Sequence, residues 1–231
     1  MPGFPDQRVL VVNADDLGAS EGINRGIIDC HENGIVTSAS LMVTGRAASE
    51  AAALSTCFPT LGIGLHWDVC GEDERDFDLE DHQAVRGEVL RQIDEFHGLL
   101  GRLPTHVDSH RHVHLEPGLM GLFRELIDPL GVPLRGDGRV NVIGGFYAQW
   151  EWKVTNLEYI SLPFLRHLLR AEVLEGWNEL SCHPGYASAG YESVYGPERE
   201  VEVTTLTNPA LRSTLQELGI RLASYAGYQR Q

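Results

Sequence analysis

The chain contains no run of about 18 apolar residues, so its sequence offers no membrane-spanning helix. Basic residues are scarce. Eighteen Lys and Arg against 33 Asp and Glu leave a formal net charge of -15 over 231 residues. That balance argues against non-specific nucleic-acid binding, which needs a basic footprint. Acidity names no cationic ligand by itself, because an acidic surface ordinarily serves solubility. No Cys-x-x-Cys pair occurs. The four cysteines (Cys30, Cys57, Cys70 and Cys182) are scattered and read as reduced packing residues. Neither G-x-G-x-x-G nor G-x-x-x-x-G-K-S/T follows any strand candidate, so no nucleotide-phosphate cradle is signalled. The opening MPGFPDQR lacks an apolar leader stretch, which predicts a cytoplasmic protein.

What is present is an alternation of short apolar runs and helical patterns. Strands are expected at RVLVVNADD, VTSASLMV (36–43), LGIGLHWDV (61–69) and THVDSHRHVHL (105–115), then at VPLRG, at WNELSC and at a final IRLAS. Between them, SEGINRGIIDCHENG, RAASEAAALS, EVLRQIDEFHGLLG, the stretch through Leu119, Phe123, Leu126 and Leu130, and LPFLRHLLRAEVLEG read as helices. A last helix opens at Asn208–Pro209. Residues 136–156 look irregular. Strands alternating with helices predict one α/β domain over residues 1–231. It is expected to be a TIM-barrel-like (β/α) barrel with fewer or less regular strands than a full eightfold one.

Polar residues gather where strands end: Asp15 and Asp16, His66 and Asp68, the run from Asp108 to His114, Arg135, and His183. In parallel α/β folds that edge carries the active site. His106, Asp108, His110, His112 and His114 share parity, so in an extended strand all would face one side. They cannot all hold one ion: at about 3.3 Å per residue the outermost lie roughly 26 Å apart, against metal–nitrogen bonds of about 2 Å. The plainer alternative is a polar edge strand with fortuitous histidines. Asp15 and Asp16 end an apolar strand, where unpaired charge is costly. One carboxylate with two imidazoles around a divalent cation would stabilise the acid and leave room for water and substrate. The alternative for this pair is a simple cap on the helix that begins near Ser20.

Taken together, NADDLG (13–18), GIVTSASLMV (34–43), GLHWDV (64–69), PTHVDSHRHVH (104–114), LRG (134–136) and ELSCHPGY (179–186) make the chain resemble the YdjC-like carbohydrate deacetylases, also called the ChbG/HpnK type. The resemblance spans nearly the whole chain. It implies a barrel-like hydrolase that removes N-acetyl groups from chitooligosaccharides, related amino sugars or glycolipids. It implies Asp16, His66 and His110 as metal ligands, Asp15 as general base and His183 as the acid that protonates the leaving amine. Arg135 would orient Asp15 or bind substrate, and His112 and His114 would contact the sugar or support the ligands. One divalent cation is expected, with zinc favoured by the two imidazoles over the magnesium common in such proteins. Trp67, Tyr147, Trp150, Trp152 and Tyr186 are candidate stacking platforms or packing residues. The short acidic loop GEDERDFDLED departs from relatives that carry a longer insertion there, which leaves substrate length and a homodimer open. Two other functions fit the residues less closely: another single-metal barrel hydrolase, such as a phosphoesterase or amidohydrolase, and a non-catalytic sugar-binding barrel.

Overall fold

Strand β1, Arg8–Leu17, is apolar from Val9 to Val12 because it is covered on both faces, and every residue after Arg8, including Asn13, Asp15 and Asp16, is buried. In the computed structural model, which describes residues 7–71 and 77–228, it lies at the centre of a seven-stranded sheet. The chain continues through α1 (Glu21–Asn33), β2 (Ser38–Leu41), α2 (Ala48–Ser55), β3 (Gly62–Trp67), α3 (His82–Leu100), β4 (Val107–Ser109) and α4 (Leu119–Ile127). It then forms β5 (Asn141–Ile143), α5 (Leu162–Ala171), β6 (Gly176–Cys182), α6 (Pro197–Leu206), α7 (Ala210–Glu217) and β7 (Ile220–Leu222). Every strand pairing is parallel. One edge of β1 runs beside β6 from Arg8 to Ala14. The other is shared, β7 taking Arg8–Leu10 and β2 taking over from Asn13. β3 and β4 extend one side and β5 the other. The sheet curls into a half-barrel, the partial (β/α) barrel expected from the alternating pattern.

Local chemistry sets the element ends. Ser20 caps α1 by accepting from the Ile23 amide, and Asp81 caps α3 by accepting from the Gln83 and Ala84 amides. Gly101 closes α3 in the left-handed conformation. The helices press Val89, Phe96, Phe123 and Leu165 onto the outer sheet face, forming one continuous core with Trp67 and Leu41. Gly64 is required by close approach: a Cβ there would fall 2.4 Å from the His106 ring, just before β4.

Several expectations need correction. Residues 105–115 are not one strand: β4 stops at Ser109, and His110–Leu115 turn through a 3-10 segment. Within it Arg111 (φ 52°) and His112 (φ 54°) occupy the left-handed region, a strain of about 1–3 kcal/mol each for residues with a Cβ. The shared parity of the histidines therefore ends at this turn. VPLRG is reduced to a single bridge between Leu134 and Val107. The irregular stretch contains β5, and α6 lies in a stretch for which the sequence suggested no element. No helix among the described residues is long and apolar enough to cross a membrane. Residues 1–6 of the N-terminal stretch and 72–76 of the acidic loop lie outside the described residues.

Candidate active site and metal centre

The two carboxylates of β1 owe their placement to an irregular backbone. The register with β2 shifts between Ala14 and Leu17, and Asp16 has φ 67°. A regular strand would send neighbouring side chains to opposite faces. The bulge instead lets Asp15 and Asp16 both reach His66 and its surroundings, where they are 1% and 4% exposed.

Asp16 Oδ2 accepts from Arg199 at 2.6 Å. Its Oδ1 is buried, has no hydrogen-bond partner among the described residues, and faces His66 Nε2 at 3.3 Å. Burial pushes the Asp16 carboxyl up, but Arg199, with help from His66 and His110, overrides it and holds the group well below the usual carboxylate range. His66, from β3, is tied through Nδ1 to Asp108 Oδ1 at 2.7 Å. His110, just past β4, is tied through Nδ1 to Asp68 Oδ1 at 3.1 Å, and its ring centre lies 5.8 Å from that of His66. Both imidazoles thus have a carboxylate behind Nδ1 and keep Nε2 for another partner, as metal-binding histidines commonly do. With the Asp16 oxygen that makes no hydrogen bond among the described residues, these donors are of the types that hold a divalent cation, although their ligand atoms do not all come within 4.8 Å of one another.

A second grouping is tighter. Ligand atoms of Asp15, His66 and Asp108 all lie within 4.8 Å of one another. It is chemically less suited, because the Arg135 guanidinium already engages both acids. Arg135 donates to Asp15 through two nitrogens at 2.7 Å each, lies 2.8 Å from Asp108 Oδ2, and donates through Nε to Glu179 at 2.7 Å. A cation there would adjoin a permanent positive charge. Burial raises the Asp15 carboxyl and Arg135 lowers it; the guanidinium prevails, and Asp15 stays ionised through neutral pH. Asp108 is held low in the same way, whereas burial outweighs Arg135 at Glu179 and raises it. Asn13 donates to Asp15 at 2.8 Å and to Ser40 at 2.7 Å, and Ser40 donates to Asp108 at 2.6 Å. Tyr225 donates to Glu179 from beyond.

His183 follows β6, and its Nε2 lies 3.8 Å from Asp15 Oδ2. Its Nδ1 is buried with no hydrogen-bond partner among the described residues, and burial pushes its pKa down to about 4. Its ring sits among Tyr147 (5.4 Å between centres) and Tyr195 (5.6 Å). Its backbone N–H donates to Glu202, a buried carboxyl pushed up to about 8 by desolvation.

Other residues named from the sequence fall out differently. Arg135 is buried and donates to both Asp15 oxygens. His114 is fully buried, with Nδ1 at the Ser109 hydroxyl and Nε2 at the Arg135 carbonyl, so its ring braces the Arg135 backbone. His112 is solvent-exposed and close enough to feel the charges of Asp15, Asp108 and His66. His106 is buried against Tyr225, with both ring nitrogens engaged by Thr105 and Ser40. Trp67 is a core residue packed on Phe77 and Phe123, which removes it as a sugar platform. The Tyr186 hydroxyl donates to Asp29. Sequence reasoning missed Arg199 and Glu202. They lie three apart on α6, hence on one helical face, and Pro197 at its first turn was the available signal.

The family model for YdjC-like protein matches residues 9–217. The chain is 33% identical to the chitooligosaccharide deacetylase of Serratia marcescens, the match covering 95% of this chain and 98% of that one. It is 31% identical to the enzyme of the same name from Salmonella paratyphi B, over 95% and 98% of the two chains. The Serratia alignment runs to 261 positions against 231 residues here, so that relative carries insertions this chain lacks. Among solved structures, a proposed cellobiose-phosphate cleavage protein from Enterococcus faecalis superposes with a TM-score of 0.80 at 27% identity, covering 97% of this chain and all (100%) of that one. A polysaccharide deacetylase from Bacillus cereus shares the fold at a TM-score of 0.60 and 12% identity, over 95% and 92% of the chains. By sequence over nearly its whole length, the chain belongs to the YdjC-like family.

Proposed function

We propose that the protein hydrolyses the N-acetyl group of an amino sugar in a chitooligosaccharide-like substrate, with one divalent cation held by Asp16, His66 and His110. The observation that supports this reading is the buried Asp16 Oδ1, which makes no hydrogen bond among the described residues and stands 3.3 Å from His66 Nε2. The names of the relatives supply the reaction class. Two imidazoles with one carboxylate favour zinc over magnesium.

An amide is a poor electrophile, and a bound cation would polarise its carbonyl and acidify a water beside it. Asp15, kept ionised by Arg135, is the base that accepts the proton of the attacking water. Arg135 fixes the plane of that carboxylate through both oxygens. As the water oxygen bonds to the acyl carbon, the C–N bond breaks and the nitrogen must gain a proton to leave as an amine. His183, with Nε2 3.8 Å from Asp15 Oδ2, carries the proton from Asp15 to that nitrogen. Exposed His112 serves as a sugar contact.

The test is acetate release from N-acetylglucosamine and N,N′-diacetylchitobiose with added zinc or magnesium. Asp15→Asn should retain the cation and lose turnover by about 10²–10⁴-fold. Phosphate release from sugar phosphates without acetate release would instead support a phosphoesterase and overturn the reading.

A further inference from the structure

Two indoles of this chain are left in solvent beside the candidate site. Trp150 is 61% exposed and Trp152 is 65% exposed. Scattered exposed apolar side chains need no explanation, but these share a loop whose backbone is braced. The Asn156 amide donates to the Ala148 carbonyl at 2.8 Å, and the Val154 amide to the Glu151 carbonyl at 3.0 Å. Gln149 donates to Glu198 at 2.8 Å, Thr155 also donates to Glu198, and the Ala148 amide donates to the Tyr195 hydroxyl at 3.2 Å. The loop is therefore fixed onto α6, the helix that supplies Arg199 to Asp16.

The rings form a series leading away from the reacting centre. Tyr147 lies 5.4 Å from His183, and Trp150 meets the Tyr147 ring edge-on at 6.0 Å. Stacking on Tyr195 at 4.7 Å holds Tyr147 in place. A rigid indole presents a large contact face at low conformational-entropy cost. Such a face suits the C–H surface of a pyranose.

We propose that Trp150 is the stacking platform for the sugar ring next to the one being deacetylated. This rests on the deacetylase reading for the position of the first ring. A second copy of the chain is the less suitable occupant. The two indoles expose on the order of 300 Å², well short of the roughly 800 Å² per partner of a stable interface.

The test compares the parent, Trp150→Ala, Trp150→Phe and Leu174→Ala, an exposed apolar control at the opposite end of β6. Each is assayed for kcat and KM on N-acetylglucosamine and N,N′-diacetylchitobiose. Calorimetric binding of both sugars is measured separately on metal-free protein. The expected result for Trp150→Ala is a roughly tenfold rise in KM and Kd for the disaccharide with kcat retained. The disaccharide-to-monosaccharide preference then falls by the same factor, Trp150→Phe recovers most of it, and Leu174→Ala leaves it unchanged. If the parent releases no acetate but binds the disaccharide, and Trp150→Ala loses that binding, the deacetylase reading fails while the platform stands. Equal losses for both sugars, no loss at all, no disaccharide binding by the parent, or a change confined to solution mass would overturn the proposal.

Discussion

Replacing Arg135 by methionine removes the one guanidinium that Asp15, Asp108 and Glu179 share, and leaves three fully buried carboxylates facing one another. Breaking a buried ion pair from one side costs about 3–5 kcal/mol, because the remaining charge is uncompensated. For a chain of this size each kcal/mol lowers Tm by about 2–4 °C, so Arg135→Met should melt roughly 6–20 °C below the parent at neutral pH. The pH dependence has a definite sign. In the parent, Asp15 and Asp108 are held below their ordinary values. The stability they contribute is therefore present above the ordinary carboxylate pKa and is lost as pH falls through the depressed one. Without the guanidinium the three acids take up protons more readily, and the gap between variant and parent narrows as pH falls toward 4. Calorimetric melts of both proteins from pH 4 to 8 provide the assay. Arg86→Met, which breaks an exposed pair with Glu125, serves as a control and should cost no more than about 1 kcal/mol. A variant that melts within about 2 °C of the parent at pH 7.5, or a gap that widens on acidification, would refute the reasoning.

Two further outcomes follow from neighbouring groups. Asp108→Asn keeps the shape of the acid behind His66 but removes its charge; zinc affinity measured by calorimetry should fall about 10–100-fold with the circular dichroism spectrum unchanged, and an unaltered affinity would contradict the supporting role. Glu202, pushed up to about 8 by burial, keeps a proton in the folded chain that the unfolded chain has released at neutral pH. That contribution is complete below the ordinary glutamate pKa and disappears as pH rises through about 8. Glu202→Gln, which mimics the protonated acid, should therefore gain Tm relative to the parent between pH 6 and 9, and a difference flat with pH would count against it.

Much of this arrangement is legible in the sequence, for identifiable reasons. β1 and β3 are buried on both faces, so each opens as an apolar run and delivers polar residues where that run ends, Asp15 and Asp16 on β1 and His66 on β3. The cluster of Asp15, Asp16, His66, His110 and His183 follows from that edge. The turn after Ser109 was not legible, because nothing in HRHVHL announces two consecutive left-handed residues with side chains. Helix α6 escaped for the opposite reason. Its buried face carries Glu198, Arg199 and Glu202, so charge pattern and hydrophobic periodicity both suggest a solvated surface. Trp67 and His114 show the same limit from the other side, since composition cannot tell an aromatic ring that meets a ligand from one that fills the core.

The claim that Asp16, His66 and His110 grip a single cation is tested most directly by crystals soaked in zinc. The account predicts one anomalous-scattering peak about 2.0–2.2 Å from Asp16 Oδ1 and from a ring nitrogen of each of the two histidines. A peak seated between Asp15 and Asp108, or none beside Asp16, would contradict it.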